Sequence, residues 1–202
     1  AFVLQRKTRL ILFKFNSMRY FFKLIRYQYL IFLALMQFTF RYGFLELQNV
    51  GLALADFQYA LLVLATVLIA AGGYVINNIF DQETDLENKP KNVIVGKSIS
   101  EANAYTIYVT LNIIGVAIGF YLSNVIQKPG FASIFILVTS LLYFYATTLK
   151  QMLLVGNILV AAMLSFSIII IGIFDLYPAI YEGNQREMSI LFSLLLDYAF
   201  MA

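Results

Sequence analysis

Long apolar runs separated by short polar breaks dominate the chain. A membrane span needs about 20 mostly apolar residues. The first run of that length is Leu24–Phe44, interrupted by Arg26, Gln28, Gln37 and Arg41. The second extends from Phe57 to about Phe80, with Asp56 placed to cap it. Gly72-Gly73 lies inside it, small residues that let helices approach closely. A charged stretch follows from Asp81 to Ser100, punctuated by Pro90 and Gly96. Ser98 to Glu101 fits a capping box, which opens a third helix reaching about Ser123. A turn over 124–130 leads to a fourth span, Phe131–Thr147, and a very short connection at Thr148–Gln151 precedes a fifth, Met152–Phe174. Asp175 to Glu187 reads as a polar loop, with Asp175 and Glu182 as exterior acids. A sixth run begins at Ser189 and is unfinished at Ala202. A helix that stops in mid-membrane leaves backbone carbonyls unsatisfied, so the chain is expected to be part of a longer protein.

This pattern predicts an all-α, polytopic transmembrane helical bundle with five full spans and an unfinished sixth. Residues 1–26 carry seven Lys and Arg and no acid, interleaved with Leu, Ile and Phe. A basic amphipathic segment of this kind lies on an anionic membrane surface. The organisation expected is therefore an interfacial segment over 1–23 and a transmembrane domain over 24–202.

Composition strengthens the membrane reading. The 202 residues are 61% hydrophobic and 12% charged, against about 45–50% and about 25% in soluble domains. A net charge of +3 gives no argument for a nucleic-acid partner. With no Cys and no His, the chain offers no thiolate nucleophile, imidazole base or zinc site built from those ligands. Its chemistry has to come from carboxylates, Lys, Arg, Tyr or Asn.

Charge placement sets orientation. With the N-terminus inside, the inner segments hold Arg6, Lys7, Arg9, Lys14, Arg19, Lys23, Arg26, Lys89, Lys91, Lys97 and Lys150, and the outer loops hold Arg41, Lys128 and Arg186. Eleven against three follows the positive-inside bias. The acid-rich stretch then faces the cytoplasm, and a bacterial inner membrane is the expected location.

The candidate chemistry begins at Asn77. Asn77, Asp81 and Asp85 recur every four residues, a spacing that stacks side chains along one face of a helix. Two carboxylates so placed repel unless water or a cation separates them. Mg²⁺ accepts one or two carboxylates where a substrate phosphate supplies further oxygens. Lys89, Lys91 and Lys97 follow closely, so acids for a metal and bases for an anion stand side by side. A solvated loop with balanced charges has the same spacing, and spacing alone does not separate the two.

The wider context resembles the intramembrane prenyltransferases of the UbiA type. Their first motif, N-D-x-x-D-x-x-x-D after the second span, is matched by Asn77, Asp81 and Asp85, with Asn78 where Asp is common. Asn88-Lys89-Pro90 and Gly96-Lys97-Ser98-Ile99-Ser100 resemble the loop downstream of it. Tyr145 to Lys150 and Gly156-Asn157 resemble the segment joining the fourth and fifth helices.

The resemblance implies a nine-helix enzyme that moves a prenyl group from a prenyl diphosphate to a hydrophobic or aromatic acceptor, with Mg²⁺ held by two acidic motifs. It implies Asp81 and Asp85 as metal ligands and Asn77 as an orienting group. Lys89, Lys91, Lys97, Lys150 and Tyr145 would bind the diphosphate, and Arg26 would stand near the acceptor. Overall texture resembles members of geranylgeranylglyceryl-phosphate or quinone type.

Some features depart from the pattern. The second acidic motif is not reached before Ala202, so this stretch alone is expected to be inactive. Tyr29 stands where Asn is common, and Asn92 where Arg is common. Asp197, inside an apolar run, is a costly position for an acid. A CDP-alcohol phosphotransferase would need D-G-x-x-A-R upstream, which is absent. A transporter segment or non-catalytic assembly subunit stays open as the alternative.

Overall fold

The computed structural model describes residues 18–48, 51–88, 90, 93–180, 193 and 196–197. Among these it is all-α, with one isolated bridge between Val95 and Ile99. A short helix, α1, covers 18–24. The chain then breaks at Arg26, whose φ of 52° is left-handed, and resumes as α2 (Tyr27–Phe40). Next come α3 (Asp56–Phe80), α4 (Gln82–Asn88), α5 (Glu101–Val125), α6 (Ala132–Thr147) and α7 (Leu153–Ile171). A π turn, Arg41–Leu45, extends α2, and another, Gly172–Leu176, carries α7 into the short α8 (Tyr177–Ile180).

Three segments, Asp56–Phe80, Glu101–Val125 and Pro129–Thr147, are long and apolar enough to cross a membrane. The all-α membrane bundle read from hydropathy is therefore the observed architecture. Most of the sixth run, Glu182 and the segment 1–17 lie outside the described residues.

α3 is the hub, packing against α2, α5 and α6. Its close approach to α5 and α6 explains Gly72-Gly73. A Cβ at Gly72 would fall 2.6 Å from the Asn112 amide nitrogen, and one at Gly73 would lie 3.0 Å from Leu142. The apolar core divides along the bundle axis. Leu24, Ile76, Ile79, Ile94, Val95 and Ala146 belong to a cluster at one end. Tyr59, Leu62, Leu122, Phe135, Ile171 and Phe174 fill the other.

Several boundaries differ from expectation. Ser100, not Ser98, caps α5, its hydroxyl accepting from the Asn103 N–H; Ser98 is instead held in a turn by the Ile94 carbonyl. Asp56 is the first residue of α3 and Ala55 its cap. The charged stretch contains α4, so Asn77 and Asp85 lie on different helices with Asp81 at the junction.

The expected polar loop at 175 is also corrected, because the helix continues through Asp175 to Ile180. Asp175 is fully buried. Its carboxylate accepts from the Leu54 N–H at 2.8 Å and lies 3.4 Å from Arg41 Nε. Arg41 donates to the Leu54 carbonyl at 2.7 Å. A buried charge needs partners of this kind, and a single chain of residues shows Asp175 as an acid without showing that Arg41 meets it.

A second buried polar cluster joins three helices. Buried Gln37 donates to the Ser167 carbonyl and accepts from the Thr66 hydroxyl, each at 2.8 Å. Its backbone carbonyl receives the Tyr59 hydroxyl. These bonds tie α2, α3 and α7 together where unpaired polar groups are expensive.

Candidate active site

At the end of the bundle where α3 stops, three sequence elements meet. The Asn77 amide donates to Asp81 Oδ2 at 2.7 Å. Lys150, from the 3-10 turn between α6 and α7, places its ammonium 2.5 Å from Asp81 Oδ1. Asp81 thus has both oxygens engaged, one by a neutral donor and one by a cation. Asp85, one turn further in α4, is half-buried and has no ion-pair partner among the described residues.

Local folding explains the placement. α3 ends as Asp81 leaves helical geometry, and α4 restarts with the Asp85 N–H bonded to the Asp81 carbonyl at 2.8 Å. The chain then turns back at Gly96, whose φ of 82° suits glycine. Gly96 packs on the Gln82 side chain, and Ile94 and Val95 enter the core beside Ile79. Asn78 secures the N-terminal break, its amide donating to the Tyr74 carbonyl at 2.7 Å and reaching the Leu24 carbonyl at 3.4 Å.

Beside this cluster opens a cavity of about 740 Å³ between α2, α3, α6 and α7. Its polar rim holds Arg26, Tyr74, Asn77 and Tyr145, and its depths are lined by Met36, Thr66, Phe135 and Ile170. From Tyr145 to Phe135 along α6 the helical rise gives a length of about 15 Å. Arg26 lies over the Tyr74 ring, 5.4 Å from its centroid, within cation–π range. Tyr29 and Tyr74 are neighbours, with centroids 6.2 Å apart.

Of the residues expected from sequence, Asn77, Asp81 and Lys150 come together directly, and Arg26, Tyr145 and Asn77 share the cavity rim. Lys97 is exposed and donates to the Pro90 carbonyl at 2.9 Å. Lys89 and Lys91 lie outside the described residues. Tyr74 was not singled out by sequence reasoning, and Tyr29 was noted only as a departure from the family pattern. Tyr74 stands three residues before Asn77, on the same helical face, and that spacing was the available signal.

The donor set suits a hard divalent cation. It offers two carboxylates and a carboxamide, with neither thiolate nor imidazole. Asn77 Oδ1 is buried without a hydrogen-bond partner. Among the described residues, no group of three or more acids gathers into a self-sufficient metal cage, so a metal here would rely on oxygens brought by a ligand.

Comparison with known proteins shows the family. The profile of the UbiA prenyltransferase family matches residues 27–196. A digeranylgeranylglyceryl phosphate synthase of Sulfurisphaera tokodaii is 35% identical over 127 residues, which cover 61% of this chain and 42% of the relative. Proteins of the same name from Saccharolobus solfataricus and Methanobrevibacter smithii are 41% and 34% identical, over 50% and 58% of this chain and 34% and 41% of their own lengths. The chain thus spans less than half the length of these curated relatives. They are archaeal, and the expectation of a bacterial inner membrane has no support from them. No solved structure matches the chain significantly.

Proposed function

This chain belongs to the UbiA prenyltransferase family, and from that premise we propose that it supplies the donor-binding half of an enzyme transferring a prenyl group from a prenyl diphosphate to a glycerophosphate-type lipid. The observation that carries the reading is a long apolar cavity whose rim meets the Asn77–Asp81–Lys150 cluster. An elongated hydrocarbon with a diphosphate at one end has that distribution of apolar and charged surface.

In this reading the prenyl tail lies along α2, α3, α6 and α7, where apolar walls exclude water. The diphosphate sits at the rim, within reach of Lys150 and Tyr145, and Asn77 keeps the Asp81 carboxylate turned toward it. Asp81 and Asp85 would hold Mg²⁺, together with diphosphate oxygens. When bound, the metal would neutralise charge that grows on the departing diphosphate. The bond between the prenyl C1 and the diphosphate oxygen breaks, and its electron pair leaves with the diphosphate. The acceptor hydroxyl oxygen then bonds to C1, and its proton passes to the released diphosphate. Because the barrier is charge separation, fixed positive groups at the rim are the expected catalytic contribution.

Arg26 is assigned to the acceptor. Its guanidinium, steadied on Tyr74, suits a phosphate group, and the relatives' name specifies a glyceryl phosphate product. The acidic cluster and the N-terminal segment face the cytoplasm in this reading, in keeping with the bias in Lys and Arg placement. The test is a transfer assay with the full-length protein in lipid vesicles, using geranylgeranyl diphosphate, Mg²⁺ and a prenylated glyceryl phosphate acceptor. Product formation dependent on all three supports the reading. Recovery of the donor unchanged, as expected of a transporter segment or an assembly subunit, refutes it.

A further inference from the structure

One of the side chains lining the deep end of the cavity rests on a glycine. Phe135 lines the cavity but is only 1% exposed. Behind its ring lies Gly119 of α5, where a Cβ would fall 2.3 Å from Phe135 Cδ2 and 2.4 Å from Cγ. The ring therefore occupies the space a side chain at 119 would fill. On another side it meets the Phe174 ring edge to face, with centroids 5.3 Å apart. Beyond it the bundle is packed with Leu62, Leu122 and Ile171. The Ser123 hydroxyl bonds the Gly119 carbonyl at 2.8 Å, a further tie within α5 beside the contact. The cavity borders the ring on a further side.

We propose that Gly119 and Phe135 form a depth gauge that selects the length of the prenyl donor, with Phe135 as the floor and Gly119 as the recess that keeps the floor low. The proposal rests on the reading of this cavity as the donor chamber. A methyl group at 119 pushes the ring toward the cavity and shortens it. A smaller side chain at 135 opens the cavity toward Phe174 and lengthens it. One added or missing methylene in an apolar pocket shifts discrimination by roughly 10- to 200-fold, enough to change which donor is preferred.

The experiment compares geranyl, farnesyl and geranylgeranyl diphosphates with the full-length protein, reading the ratio of kcat/KM between donors. Gly119→Ala is expected to move preference toward shorter donors by roughly tenfold. Phe135→Leu is expected to move it toward longer donors. The double variant, in which the smaller Leu leaves room for the methyl group, should return close to the original ratio. General loss of stability lowers all donors together and leaves the ratio unmoved. If Gly119→Ala does not fold, Phe135→Leu alone decides by the direction of its shift. Unchanged ratios in every folded variant, with the unmodified protein active, overturn the gauge while leaving the transferase reading intact. No transfer from any donor by the unmodified protein overturns the functional reading, and the gauge with it.

Discussion

Lys150 and Asp81, far apart in sequence, form an ion pair at the end of α3, with Nζ 2.5 Å from Oδ1. Neither side chain is fully exposed, at 18% and 26%, so water screens the pair less than at an open surface. The pair fastens the α6–α7 turn to the acidic cluster. It also sets a cation beside the position proposed for the diphosphate. Replacing Lys150 by Met should lower kcat for prenyl transfer by roughly a hundredfold, the scale of losing one preorganised electrostatic group. Lys150→Arg should recover part of that loss. Steady-state rates of the two variants, at matched expression, check this.

Asp85 has the opposite character, half-buried and free of an ion-pair partner among the described residues. If it holds metal with Asp81, Asp85→Asn should raise the Mg²⁺ concentration needed for half-maximal rate by at least about tenfold, the effect of losing even an outer-shell partner. Removing Mg²⁺ with a chelator should stop transfer, and added Mg²⁺ should restore it. A magnesium titration of the variant against the unmodified protein is the measurement.

Arg26 and Tyr74 carry the proposed acceptor contact. Tyr74→Leu removes a cation–π interaction of about 0.5–1 kcal/mol. KM for an anionic acceptor should therefore rise about two- to fivefold with little change in donor KM, while Tyr74→Phe should be close to neutral. Kinetics with separately varied donor and acceptor distinguish this from a general defect.

At the far end of the bundle, Asp175 is buried between Arg41 and the Leu54 N–H. Asp175→Ala leaves the buried Arg41 guanidinium with only the exposed Asp56 carboxylate, 3.4 Å away, as counter-charge, and the loss approaches the about 3–5 kcal/mol of a broken buried pair. Thermal unfolding in detergent should show a lowered midpoint, while the ratio of kcat/KM between prenyl donors stays unchanged in the protein that remains folded.

Hydropathy located the long helices because lipid leaves an apolar run of that length little choice but to satisfy its own backbone, whereas α4 and the helical continuation through Asp175 were read as loops. The four-residue spacing of Asn77, Asp81 and Asp85 marked the cluster, and Asn77 does meet Asp81. What the sequence did not reveal depends on contacts between distant residues. Asp175 read as a loop acid because nothing local shows that Arg41 closes over it. Gln37 read as an interruption of a span, yet it bonds Ser167 and Thr66 across three helices. The many Phe and Tyr were indistinguishable until packing selected Phe135 for the cavity floor and Tyr74 for its rim. The break at Arg26 left no signal either, since a non-glycine residue at positive φ is set by its surroundings.

The most direct test of the central claim is Mg²⁺-dependent prenyl transfer by the full-length protein carrying Asp81→Asn. The substitution keeps size and removes one charge, so the protein should still fold and express, with a modestly lowered thermal midpoint from loss of the Lys150 pair, while kcat falls by roughly a hundred- to thousandfold. Transfer undiminished in a correctly folded Asp81→Asn variant would contradict the account, because the cluster at the end of α3 would then take no part in the chemistry.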